Sequence, residues 1–139
     1  MGRLVGIDYG KKRVGIAVSD PGKIIASGLA TVPSHEIFSY IKEYVEKEKI
    51  DGFIVGMPRQ MSGEPSESAP LVKSFVTGLT RKHPGIPVHL VDERFTSKMA
   101  KMAMIEGGLK KKKRQDKGLV DSVSAALILQ SYMESENLL

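Results

Sequence analysis

The order of hydrophobic patterns along the chain is the feature that most restricts its fold. Residues 4–9 are mostly apolar, and Val14, Ile16 and Val18 then alternate with small residues. This pattern predicts two antiparallel strands joined by the polar turn Gly10-Lys11-Lys12. A third strand is predicted over 23–32, followed by an amphipathic helix over 34–49 that Ser34 caps.

The second part of the chain alternates short apolar runs with helical patterns. Residues 53–55 are continuously apolar, as is typical of a parallel strand buried on both faces, and 88–91 form a similar strand. Helices are predicted around 71–79, over about 96–105 and over 120–133. A three-stranded antiparallel meander followed by strand–helix units implies an α/β fold: a mixed five-stranded sheet with helices on both faces.

Length and composition restrict the class of protein. The chain has 139 residues and no cysteine, so we expect one domain over 1–139, with no disulfide scaffold, thiol nucleophile or cysteine-based metal site. No apolar run approaches the roughly 20 residues that span a bilayer. The first residues lead directly into strand sequence without a signal-peptide pattern. The expected location is therefore cytoplasmic.

The net charge of +5 is concentrated in one segment. Residues 98–118 hold eight basic and two acidic side chains, so this segment carries the whole basic excess. At its centre is an uninterrupted run: Lys110, Lys111, Lys112, Lys113 and Arg114. Clustered Lys and Arg side chains displace counterions from nucleic acid, which favours a polyanionic partner. A solvated loop that aids solubility is the alternative, and charge alone does not choose between them.

Carboxylates stand where the predicted strands end. Asp8 lies near the end of the first strand, Asp92-Glu93 follows the last, and Asp121 lies near the start of the final helix. Ligand sites in parallel sheets collect at the carboxyl ends of strands, so three of these acids are expected to converge. Successive strand side chains point to opposite faces, so only one of Asp92 and Glu93 can face such a site.

Converging carboxylates repel one another unless cations neutralise them. Oxygen-only ligation suits Mg²⁺ or Mn²⁺, and two such ions can promote phosphodiester hydrolysis without a Cys or His nucleophile. Each acid also has a structural alternative. Asp8 could bond the turn amides, the pair at 92–93 could engage Arg94 or cap a helix, and Asp121 could stabilise the helix dipole.

Four motifs in order resemble one known family. They are Gly6-Ile7-Asp8-Tyr9-Gly10, Val55-Gly56-Met57-Pro58, Val91-Asp92-Glu93-Arg94 and Val120-Asp121-Ser122. Together they cover essentially the whole chain, and the chain resembles the YqgF/RuvX family.

The resemblance implies a ribonuclease H-like fold related to RuvC Holliday-junction resolvases. It implies a metal-dependent endonuclease that acts on structured nucleic acid, foremost at the 5′ end of pre-16S rRNA, with ribosomal precursor particles as partners. It assigns Asp8, Glu93 and Asp121 as catalytic residues and as ligands of Mg²⁺ or Mn²⁺. The sequence departs from the family pattern in the loop Arg59-Gln60-Met61-Ser62-Gly63 and at Ser124, where RuvC-type resolvases place a second Asp.

Basic residues near these motifs are candidates for binding substrate phosphates. They are Lys11, Arg13, Arg59, Lys110, Lys111, Lys112, Lys113 and Arg114. The loop holding Arg59 could equally be a structural Gly-Pro turn, and the first hairpin could simply be solvated.

Three alternative functions remain at this stage. A resolvase keeps the metal site but acts on branched DNA, and a non-catalytic nucleic-acid-binding module keeps only the fold and the basic segment. The presence of all three acids argues against the binding module. Gly6, Asp8 and Gly10 also fit the phosphate loop of actin-like ATPases, but 139 residues are too few for the two domains of that fold.

Overall fold

The computed structural model describes residues 2–58, 68–92 and 117–136, with the side chains of 117–120 excepted. Within these ranges five strands and three α-helices follow one another along the chain. They are β1 (Arg3–Tyr9), β2 (Arg13–Ser19), β3 (Ala26–Pro33), α1 (Ile37–Lys47), β4 (Ile50–Met57), α2 (Ala69–Lys82), β5 (Val88–Asp92) and α3 (Lys117–Ser135). The helix predicted over 96–105 lies outside the described residues.

The five strands form one mixed sheet in the order β3-β2-β1-β4-β5. β1 and β2 pair antiparallel, as do β2 and β3, whereas β4 pairs parallel with both β1 and β5. The predicted meander and parallel half are therefore confirmed. The carboxyl ends of β1, β4 and β5 lie at one edge of the sheet, which is called the carboxyl edge below.

Helices cover both faces of the sheet, as predicted. On one face α1 and α2 bury a core that includes Ile7, Phe53 and Phe75. On the other face α3 buries Ile128, Leu129 and Met133 against Leu4 and Ile54. Full burial of a side chain of this size contributes about 2 kcal/mol, so this one helix supplies a large share of the second core.

The third strand begins later than predicted because Asp20 organises the turn before it. The Asp20 carboxylate accepts hydrogen bonds from the backbone N–H groups of Gly22, Ile24 and Ile25, at 2.7–3.1 Å. These bonds hold the pKa of Asp20 below its ordinary value, with Ile25 and Ile24 as the main causes. Residues 23–25 therefore belong to the turn, and β3 begins at Ala26.

The start of the first helix also differs from the prediction. Residues Ser34–Glu36 form one 3₁₀ turn, and α1 begins at Ile37. Neither the 3₁₀ turn nor α1 has a side-chain cap at its N-terminus, so the prediction that Ser34 caps this helix is wrong. Its hydroxyl instead donates a hydrogen bond of 2.6 Å to the Lys11 carbonyl oxygen, 23 residues away.

Two glycines let α3 approach the sheet closely. A Cβ atom at Gly6 would lie 2.8 Å from the Ala125 carbonyl oxygen, and one at Gly15 would overlap the backbone of Asp121. Only glycine therefore fits beneath the helix at these two positions. Among the described residues, no helix is both long enough and apolar enough to cross a membrane.

We expect Gly15→Ala to destabilise the protein by about 1–3 kcal/mol, because the added methyl group meets helix backbone that cannot rotate away. Urea unfolding measures the change. Gly85→Ala is the matched control, since nothing lies within 4 Å of a Cβ there. Equal stability of the two variants would contradict the close packing of α3 on β2.

Candidate active site

Asp8 points to the face of the sheet that α3 covers. Gly6, two residues earlier on β1, meets α3 directly, and side chains two apart on a strand share a face. Asp8 also pairs with Gly15 across the β1–β2 ladder, and Gly15 lies beneath the Asp121 backbone. The structure therefore brings Asp8 and Asp121 to the same face, at the carboxyl edge.

Arg13 forms an ion pair with Asp121 at this edge. The Arg13 Nε–H group donates a hydrogen bond of 2.8 Å to Asp121 Oδ2. The Arg13 side chain is 42% exposed and that of Asp121 is 24% exposed, so water and a ligand can both reach the pair. Asp121 itself is positioned by the packing of α3 on Gly15.

Asp92 lies on the opposite face of the sheet. It pairs with Met57 of β4, and Met57 belongs to the core beneath α1 and α2. Asp92 lines a cleft of about 260 Å³ together with Lys73 of α2 and Leu90. Asp92 is therefore separated by the sheet from Asp8 and Asp121, which leaves Glu93 as the candidate third acid.

Of the remaining predicted site residues, the structure describes only Lys11. Lys11 is exposed in the β1–β2 turn at the carboxyl edge, two residues before Arg13. The others lie outside the described residues: Glu93, Arg59, Lys110, Lys111, Lys112, Lys113 and Arg114. Their roles stay predictions.

The described acids offer the donor chemistry that a hard cation requires. Asp8 and Asp121 supply carboxylate oxygens, and no group of three or more His, Cys, Asp or Glu side chains meets within the described ranges. Ser124, one turn after Asp121, carries a buried hydroxyl without a hydrogen-bond partner there. An oxygen-only donor set of this kind fits Mg²⁺ or Mn²⁺ rather than a soft metal.

Two contacts at this edge could not be recognised in the sequence. One is the Arg13–Asp121 ion pair, which joins residues 108 positions apart. The other is the bond between Ser34 and the Lys11 carbonyl. A serine before a helical pattern predicts a helix cap, and no local signal distinguishes that role from a distant tertiary contact.

Comparison with known proteins agrees with this architecture. The family model RuvX, described as Holliday junction resolvase, matches residues 2–135. The chain belongs to the RuvX family. A protein of Parabacteroides distasonis is 57% identical over 136 residues, covering 98% of this chain and 97% of that protein. One of Bacteroides fragilis is 53% identical over 138 residues, covering 99% and 100%. Both carry the name “Putative pre-16S rRNA nuclease”.

Solved structures confirm the predicted ribonuclease H-like fold. RuvC of Thermus thermophilus, in complex with a Holliday junction substrate, aligns with a TM-score of 0.57 at 17% identity, covering 99% of this RuvX chain and 98% of the other. The Fowlpox virus resolvase with its Holliday junction DNA aligns at 0.58 and 14% identity, covering 96% and 98%.

We expect the Arg13–Asp121 pair to contribute little to stability, because exposed ion pairs are worth about 0–1 kcal/mol. A double-mutant cycle with Arg13→Gln and Asp121→Asn, followed by urea unfolding, measures the coupling energy. A coupling well above about 1 kcal/mol would identify the pair as a structural element rather than part of a site.

Proposed function

We propose that this RuvX chain is a metal-dependent endonuclease that cleaves a phosphodiester bond in structured RNA, at the 5′ end of pre-16S rRNA. The observation that carries the proposal is the arrangement of Asp8 and Asp121 on one face, with the basic turn beside them. The names of the relatives supply the reaction class and the substrate. We infer a cytoplasmic location from this class of substrate.

Three acids would hold the cation: Asp8, Asp121 and Glu93. Glu93 is chosen over Asp92 because Asp92 lies across the sheet, beside Met57. When bound at such a site, Mg²⁺ or Mn²⁺ activates water and stabilises the negative charge that develops on the phosphate.

The protein's own residues supply position and charge. β1 fixes Asp8 within the sheet, and α3 fixes Asp121 through its contact with Gly15. The Arg13 guanidinium already donates to a carboxylate at this edge. Phosphate oxygens accept the same charge-assisted bonds, so a substrate phosphate that approaches Asp121 meets a donor in place. Lys11 contributes further positive charge from the turn.

A Holliday-junction resolvase is the second candidate. It is favoured by the description of the family and by the four-way junction substrates bound to the two structural neighbours. A non-catalytic nucleic-acid-binding module is the third. Arg59 and the basic run 110–114 serve as phosphate contacts in all three proposals.

Cleavage assays separate these candidates. The protein is incubated with Mg²⁺ or Mn²⁺ and either a pre-16S rRNA 5′ leader transcript or a four-way DNA junction. We expect cleavage of the RNA only, abolished by a chelator. Asp8→Asn should lower the rate by about 100-fold or more, because a lost metal ligand removes several kcal/mol of transition-state stabilisation. Cleavage of the junction alone supports the resolvase, and no cleavage of either substrate contradicts both nuclease proposals.

The neighbouring acids Asp92 and Glu93 provide a matched pair. Glu93→Gln should lower the cleavage rate about as strongly as Asp8→Asn, whereas Asp92→Asn should leave it within about twofold, since Asp92 lies on the other face of the sheet. Circular dichroism and thermal unfolding verify that both variants fold. The reverse order of the two effects would show that Glu93 is not the third acid.

A further inference from the structure

The β1–β2 turn is held in place by three hydrogen bonds. The Gly10 N–H group donates to the Arg13 carbonyl at 2.9 Å and closes the turn. Ser34 then binds the turn from outside: its hydroxyl donates to the Lys11 carbonyl at 2.6 Å, and its N–H group donates to the Lys12 carbonyl at 3.0 Å. Two consecutive carbonyls of the turn are thus fixed by one residue.

The hydroxyl of Ser34 serves this turn rather than its own helix. Ser34 begins the 3₁₀ turn that precedes α1, and neither of these helical segments has a side-chain cap. A serine at a helix start ordinarily stabilises the helix by capping it, by about 1 kcal/mol. Here the same hydroxyl donates to a carbonyl 23 residues away, so it stabilises the β1–β2 turn instead of its own helix.

The turn displays positive charge beside the carboxylates. Asp8 is two residues from Gly10, so the turn begins about 7 Å beyond it along β1. Lys11 and Lys12 are exposed, and neither forms an ion pair within the described part of the chain. Arg13, the next residue, is paired with Asp121. The two lysines therefore project their charge into solvent at the carboxyl edge.

We propose that Ser34 is a positioning residue for nucleic-acid binding: it fixes the turn so that Lys11 and Lys12 contact backbone phosphates at the carboxyl edge. This inference rests on the proposed function and assigns a role to Ser34 and Lys12. Backbone phosphate contacts orient a nucleic acid on a protein. A turn that is already ordered loses less conformational freedom on binding, so the two contacts bind more tightly.

The test measures binding without divalent cations, so that it does not depend on cleavage. A fluorescent pre-16S rRNA 5′ leader transcript is titrated with wild type, Ser34→Ala and Ser34→Thr at several salt concentrations. We expect Ser34→Ala to weaken binding about threefold to tenfold, the effect of losing roughly one hydrogen bond. Ser34→Thr keeps the hydroxyl and should restore most of the affinity.

The decisive comparison repeats Ser34→Ala in a Lys11→Gln/Lys12→Gln background. Removing two lysines that contact phosphates should reduce the slope of log affinity against log salt concentration by about two. In that background, Ser34→Ala should change the affinity by less than about twofold. In cleavage with Mg²⁺, Ser34→Ala should raise KM and leave kcat nearly unchanged. Thermal unfolding verifies that each variant folds.

Lys42→Gln/Lys47→Gln is the matched charge control, since both lysines are exposed on α1. An equal loss of salt dependence in this control would overturn the proposal, as would equal effects of Ser34→Ala in both backgrounds or unchanged binding by Ser34→Ala. If the RNA is cleaved but Ser34→Ala binds it as tightly as wild type, this inference is contradicted and the nuclease proposal is not. A Ser34 effect on binding without any cleavage supports this inference and contradicts the nuclease proposal alone.

Discussion

The close approach of α3 to the glycine-lined face of β1 and β2 is the contact on which the candidate site depends. Because Gly6 and Gly15 carry no side chains, the helix backbone rests almost directly on the sheet. A helix one methyl group farther away would carry the Asp121 carboxylate away from both Asp8 and Arg13. The second hydrophobic core and the Arg13–Asp121 ion pair therefore depend on the same packing.

The sheet could be predicted from periodicity because each strand carries its own pattern. In β2 large apolar residues alternate with small ones, because Val14 and Ile16 enter the core of α1 and α2 while Gly15 lies beneath α3. The continuous apolar run in β4 is typical of a parallel strand that is buried on both faces. Local patterns fail where a residue's partner is distant. Ser34 precedes a helical pattern, which predicts a helix cap, but its hydroxyl donates to the Lys11 carbonyl, 23 residues away. The late start of β3 has a local cause instead, because Asp20 organises the turn before it.

The face of each acid at the end of β5 illustrates the same limit. Sequence alternation states that Asp92 and Glu93 point to opposite faces, but only the ladder with β4 assigns Asp92, through Met57, to the face of α1 and α2. The Arg13–Asp121 pair likewise required the docking of α3. The sequence alone did not determine which face of the sheet each helix covers or which side chains meet there.

The candidate site combines carboxylates from distant parts of the sequence. Asp8 belongs to the first strand, whereas Asp121, which lies 108 residues after its partner Arg13, belongs to the last described helix. During translation the strand emerges from the ribosome long before that helix does. A chain still being synthesised therefore exposes Asp8 before Asp121, and the two acids meet only after α3 has emerged and packed on Gly6 and Gly15. A protein proposed to cut ribosomal RNA therefore gains both acids only once its last described helix has docked on the sheet.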